Sequence, residues 1–212
     1  VRTELGLDQD RPVIALLPGS RKEEVLNLLP LMIEAAEKLR SRYSPLKCLL
    51  PRAPTIPAEL IEGLLNKSSL DVQVISGDVY RVLKACDVAL VASGTATLEA
   101  AILEAPMIIV YRVSFLSYWI GRMAIRIPFI GLVNWVAGER VVPELIQGGL
   151  TPDRLAQEAL DMLEHDDKRK DIQRKLRSVR EKLGQGSASE KTGRIALEII
   201  GTFSGAAENK AR

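Results

Sequence analysis

The sequence predicts an α/β domain, a parallel sheet with helices on both faces, followed by a C-terminal helical extension. Three observations predict it. Apolar runs of strand length alternate with longer amphipathic stretches, the pattern of a sheet covered by helices. The runs are continuously apolar rather than alternating, which means burial on both faces, as parallel strands require. Beyond Thr151-Pro152 the composition shifts to charged, helix-forming residues.

The predicted strands are Val13–Leu17, Cys48–Leu50, Val72–Ile75, Val88–Ala92 and Met107–Tyr111. Between them lie predicted helices over Glu23–Tyr43, Ala58–Asn66, Val79–Cys86 and Thr97–Leu103. Ser20-Arg21-Lys22-Glu23 has the spacing of a capping box, and Asp78 stands where an N-cap belongs. Pro152 suits a first helical position, and the charged helices it opens run to about Leu183. Gly184-Gln185-Gly186-Ser187 breaks that run before a final helix from Ser189 to about Phe203. The expected division is therefore 1–150 as the α/β domain, 151–203 as helices packing on it, and 204–212 as a frayed tail. No internal repeat is present.

The 212 residues are enough for one sizeable core with an extension, and tight for two full domains. Hydrophobic residues at 47% and charged residues at 26% are ordinary for a globular chain and argue against disorder. A net charge of +2 gives no support to nucleic acid as a partner. Cys48 and Cys86 lie among apolar residues and form no CxxC pair, so they read as buried free thiols. His165, the single histidine, sits in the charged run Glu164-His165-Asp166-Asp167-Lys168, which anchors neither a zinc site nor a triad. No metal and no cofactor is expected. There is no signal peptide and no charge-free apolar stretch of the ~20 residues that a membrane span needs, so a cytoplasmic location is expected. Val1–Leu7 reads like a linker entering the first strand, and the chain is expected to be a segment of a longer protein.

In open α/β sheets ligands bind beyond the carboxyl ends of the strands. After the first strand comes Pro18-Gly19-Ser20-Arg21: a glycine that permits close backbone approach, a hydroxyl, and a forked cation before a helix. That chemistry suits a phosphate or diphosphate, and a plain βα turn with a serine N-cap fits equally. Neither GxxxxGK[ST] nor a strand followed by GxGxxG is present, so ATP hydrolysis and nicotinamide binding have no motif support. The fourth strand ends in Ser93-Gly94-Thr95-Ala96-Thr97-Leu98-Glu99. Its small residues offer backbone N–H groups to a phosphate. The Glu99 carboxylate would repel phosphate; it either accepts bonds from a pair of sugar hydroxyls or only supports the helix dipole. Together the two loops suggest a nucleotide diphosphate-sugar.

Four segments in this order and spacing resemble the C-terminal half of the lipid-A-disaccharide synthase family. They are Pro18–Arg21, Ser93–Glu99, Pro106 with Tyr111-Arg112, and Asn134 with Gly138-Glu139-Arg140-Val141-Val142-Pro143-Glu144-Leu145-Ile146-Gln147. The resemblance covers about residues 1–200. It implies a GT-B-type, Rossmann-like fold, of which this chain is the UDP-sugar-binding half, and a metal-free inverting transfer. The donor would be UDP-2,3-diacylglucosamine and the acceptor 2,3-diacylglucosamine 1-phosphate, lipid X. It implies that Glu99 meets the ribose hydroxyls, that Asn134, Glu144 and Gln147 surround the nucleotide, and that the catalytic base belongs to an N-terminal acceptor domain absent from this chain. Gly19, Ser20, Arg21, Ser93, Gly94, Thr95 and Glu99 remain the leading candidates from residue chemistry.

Residues 106–133 carry Arg112, Arg122 and Arg126, no acid, and five of the chain's nine aromatics. Val113–Ile130 mixes aromatic, aliphatic and basic residues, as an interfacial helix does and as a core helix with snorkelling arginines also does. The interfacial reading makes Phe115, Trp119, Arg122 and Arg126 acyl or membrane contacts, peripheral on the inner membrane of a Gram-negative bacterium. The basic runs at 168–170 and 174–182 read as solvated helix faces. A homo-oligomer is compatible with all of this. The rival readings are another UDP-sugar enzyme of the same fold, such as a peptidoglycan glycosyltransferase or a UDP-sugar epimerase, and a non-catalytic nucleotide-sugar binding module.

Overall fold

Three of the apolar runs are buried along nearly their whole length: β1 (Val13–Leu17), β4 (Val88–Ala92) and β5 (Met107–Tyr111). They form the middle of a six-stranded sheet in a computed structural model that describes residues 1–112, 128–184 and 192–199. β2 (Lys47–Arg52) and β3 (Asp71–Ser76) extend it on one side, and β6 (Glu144–Ile146) on the other. The order is β3-β2-β1-β4-β5-β6, and every pairing is parallel. The fold is an open, Rossmann-like α/β sheet, as expected.

Parallel strands need crossovers, and the helices supply them. α1 (Lys22–Arg40) and α2 (Ala58–Leu65) connect β1 to β2 and β2 to β3; α3 (Val79–Ala85) and α4 (Ala96–Ile102) connect β3 to β4 and β4 to β5. Right-handed crossovers put the first pair on one face and the second on the other. α1 packs on β1 and β4 and against α6 (Pro152–Glu164), while α4 packs on β4, β5 and α5 (Leu132–Ala137). α7 (Asp166–Leu183) buries Ile172, Leu176 and Val179 and exposes its charged face.

The local signals mostly act as read. Asp78 accepts the Arg81 N–H at 3.0 Å, and Thr151 accepts the Arg154 N–H at 3.3 Å ahead of Pro152. The capping box is corrected by one residue. Arg21 is the N-cap, and the carboxylate of Glu24, not Glu23, accepts the Arg21 backbone N–H. β6 and α5 escaped the sequence reading: β6 has three residues and begins with a glutamate, which breaks the apolar-run signature. Burial pushes the Cys48 and Cys86 thiols up to about 12, which leaves both protonated and unreactive at neutral pH.

The chain divides into two compact units, Val1–Arg180 and Glu181–Arg212. In the second unit, residues 192–199 are helical, and Ile195, Leu197 and Ile199 are exposed.

Candidate functional site

The strand order runs outward from β1 in one direction and from β4 in the other. Loops leaving these adjacent strands therefore diverge to opposite faces and open a crevice at their carboxyl ends, where such sheets bind ligands. A cleft of about 550 Å³ lies there. Gly19, Ser20 and Arg21 after β1, and Ser93, Gly94, Thr95 and Glu99 after β4, all line it.

Each wall has a local cause. Gly19 has φ +107°, and a Cβ there would run into the Glu24 side chain, so the turn demands glycine. Arg21 is 82% exposed and donates from Nη1 to Glu24 Oε1 at 3.0 Å. Thr55 Oγ1 donates to the Ser20 carbonyl at 2.7 Å and ties the β1 loop to the loop after β2. On the opposite wall, Thr97 Oγ1 donates to the Gly94 carbonyl at 2.7 Å, and the N–H groups of Leu98 and Glu99 return to the Thr95 carbonyl. The Ser93 hydroxyl donates to the Ile130 carbonyl at 3.1 Å. Glu99 is half-buried, and its carboxylate has no partner among the described residues. The cleft thus offers an exposed guanidinium on one wall and a half-buried, unpartnered acceptor on the other. A diphosphate can compete with Glu24 for Arg21, and Glu99 can accept from a diol.

Two further loops reach the cleft that the sequence reading left out. Pro51 and Arg52 end β2 and Ala53 and Pro54 follow it, and Gly77 and Val79 follow β3. Arg52 donates to the Ile56 carbonyl at 2.6 Å and to Ser76 Oγ at 3.2 Å, and its own carbonyl accepts the Gly77 N–H at 3.1 Å. The available signal was an arginine between two prolines at the carboxyl end of a strand.

Asn134, Glu144 and Gln147 are placed elsewhere: none lines the cleft. Asn134 is fully buried. Its amide donates to Glu144 Oε1 at 2.8 Å and to the Val142 carbonyl at 2.9 Å, and its oxygen accepts the Val141 and Val142 N–H groups. Glu144 is 8% exposed and accepts the backbone N–H groups of Ile130 and Gly131, each at 3.0 Å. The bonding capacity of Asn134 and Glu144, which the resemblance directs to a nucleotide, is met here by backbone groups and by the pair itself. Gln147 opens a short 3-10 turn after β6 with φ +49°. Phe115, Trp119, Arg122 and Arg126 lie outside the described residues. Among the described residues no group of three or more His, Cys, Asp or Glu could hold a metal ion, and no helix is long and apolar enough to cross a membrane.

This geometry has relatives. Among solved structures, a glycosyltransferase from Rickettsia africae superposes with a TM-score of 0.64 at 14% identity, over 94% of this chain and 50% of that one. WaaG, a glycosyltransferase involved in lipopolysaccharide biosynthesis, gives 0.59 at 17% identity, over 92% and 49%. At such identities the likeness is one of fold, the GT-B glycosyltransferase architecture. Sequence relatives are nearer. The lipid-A-disaccharide synthase of Syntrophus aciditrophicus is 47% identical over 92% of this chain and 51% of its own length. That of Geobacter sulfurreducens is 44% identical over 92% and 51%. The chain thus spans about half the length of the curated relatives it matches. A family model described as lipid-A-disaccharide synthetase matches residues 1–199, and the chain belongs to that family.

Proposed function

We propose that this chain is the donor-binding part of a glycosyltransferase of lipid A biosynthesis. The complete enzyme would transfer 2,3-diacylglucosamine from its UDP donor to lipid X, giving lipid A disaccharide 1-phosphate and UDP. One observation carries the reading: in a chain of this family, the seven leading candidates, drawn from two loops distant in sequence, line one cleft at the switch point of the sheet. In this reading Arg21 and the backbone N–H groups of the Gly94-Thr95 turn meet the diphosphate, and Glu99 accepts from the ribose hydroxyls. Residues 1–150 hold the donor. The acceptor and the general base belong to a domain preceding Val1.

An acylated donor and acceptor place the enzyme at the cytoplasmic face of the inner membrane. Phe115, Trp119, Arg122 and Arg126 are suited to that contact by composition: apolar burial holds such a segment at an interface, and each arginine near anionic lipid adds about 1 kcal/mol. Sedimentation with anionic liposomes that is unchanged in a Phe115→Ser, Trp119→Ser variant would remove the membrane contact from the reading.

The central test is calorimetric titration of UDP into the purified chain in excess chelator. Binding is expected without added metal, because Arg21 and backbone donors offset the diphosphate charge. No binding, or binding that appears only on adding magnesium, sinks the proposal.

A further inference from the structure

Glu144 is a side chain enclosed at the edge of the sheet, and its carboxylate has no cation among its partners in the described residues. Such a group is costly to bury unless donors surround it. Three do: Ile130 N–H to Oε2, and Gly131 N–H and Asn134 Nδ2 to Oε1. A glutamine in its place would turn an NH₂ toward one of two successive backbone N–H groups, so the site specifically requires an acceptor at both oxygens. Gly131 is part of the same fit, since a Cβ there would collide with Ile109 and stand 3.1 Å from Glu144 Oε1.

The peptide unit between Ile130 and Gly131 links this carboxylate to the cleft. Its N–H is bonded to Glu144, and its carbonyl accepts the hydroxyl of Ser93. A trans peptide is planar and rigid, so N–H and C=O point to opposite sides, and fixing one aims the other. A carboxylate on the N–H also polarises the carbonyl and strengthens it as an acceptor. Ser93 is held a second time by its backbone N–H on the Val110 carbonyl at 3.0 Å. Next in the chain come Gly94 and Thr95, which form the cleft wall, and Leu132, two residues after Ile130, lines the same cleft.

The geometry points to Glu144 as a positioning residue for the nucleotide-binding turn, acting through the Ile130–Gly131 peptide on Ser93 and thence on Gly94 and Thr95. This rests on the cleft being the UDP site. It gives a buried acid bonded to the protein's own donors a defined share in ligand affinity.

The test is a double-mutant cycle on UDP affinity with Glu144→Gln and Ser93→Ala, each variant first shown folded by thermal unfolding. Glu144→Gln alone should weaken UDP about tenfold, whereas added to Ser93→Ala it should weaken UDP less than about twofold further, because the link is already cut. Additive losses, or unchanged affinity in a folded Glu144→Gln chain, would overturn the inference. The second readout is the amide resonances of Gly94 and Thr95 without ligand, which Glu144→Gln should shift; resonances that stay in place overturn it too. If the parent chain binds no UDP, the nucleotide reading fails by itself, and the amide comparison still decides the positioning. If Glu144→Gln does not fold, Glu144→Asp, which draws the carboxylate back from Gly131, is put through both measurements.

Discussion

Glu99 is the residue whose role can be separated most sharply from its structural surroundings. Its neighbours Thr97 and Ala100 are buried, but its own carboxylate has no partner among the described residues. Replacing it by alanine should therefore change stability within about 0.5 kcal/mol, as for surface positions that anchor nothing. Affinity is another matter. A hydrogen bond to a charged group contributes roughly 1.5–3 kcal/mol, so Glu99→Ala should weaken UDP about tenfold or more. It should weaken 2′-deoxy-UDP less, because that ligand offers one ribose hydroxyl where UDP offers two. Equal losses for the two ligands in the same calorimeter would remove the ribose role. Asn134 is the opposite case. All its amide positions are engaged in the protein, so an effect of its substitution on UDP would be carried through the backbone it holds.

At the scale of elements, α7 is tied to the turn after α4 by one acid. Glu104 accepts from Arg177 Nη2 at 2.7 Å and from Arg180 Nη1 at 3.3 Å, and it does so from a left-handed backbone at φ +54°. The Arg177 hydrogen bond, reinforced by the charges of Arg177 and Arg180, holds its carboxyl below the usual carboxylate range. A depressed folded-state pKa means that this stability is fully present above the unfolded value of about 4.3 and is lost as pH falls through the folded value. Glu104→Gln should therefore lower the thermal midpoint near neutral pH, with the gap between variant and parent closing in acid. The arginines are more than half exposed, so screening limits the effect to about 1 kcal/mol or less, a few degrees in a chain of this size. A gap that persists unchanged at pH 2, or that ignores 1 M salt, would assign the stabilisation to something other than the ion pairs.

For the whole molecule, the prediction follows from how barriers fall. Transfer needs the acceptor hydroxyl and a base aligned with the anomeric carbon, and the proposed division of roles assigns both to a part of the enzyme outside this chain. The isolated chain should bind UDP and resist heating when UDP is present; at a hundredfold excess over Kd the stabilisation is about 2.7 kcal/mol. It should form no disaccharide from UDP-2,3-diacylglucosamine and lipid X. Measurable disaccharide formation by these residues alone would show that the division of roles between domains is wrong.

The parts legible in the sequence are those with local causes. Apolar runs located five of the six strands. β1, β4 and β5 are buried almost throughout and have no polar alternation to hide them, whereas the edge strand β3 has no buried residue and was legible only from Val72, Val74 and Ile75. Asp78 and Pro152 announced their helices because a cap and a first-turn proline both act between near neighbours. Gly19, Arg21, Ser93 and Glu99 could be singled out because loops after central parallel strands are where open sheets bind. The tertiary structure alone decided the rest. β6 exists because β5 offers it a partner, not because three residues beginning with glutamate favour a strand. Arg52 reaches the cleft because β2 lies beside β1 and ends at the same rim. Asn134 and Glu144, assigned to the nucleotide by resemblance alone, are turned by the fold onto backbone that is close in space. Sequence displays what a side chain can bond; packing determines which partner is near enough to be bonded, and for a buried group that partner must come from the protein itself.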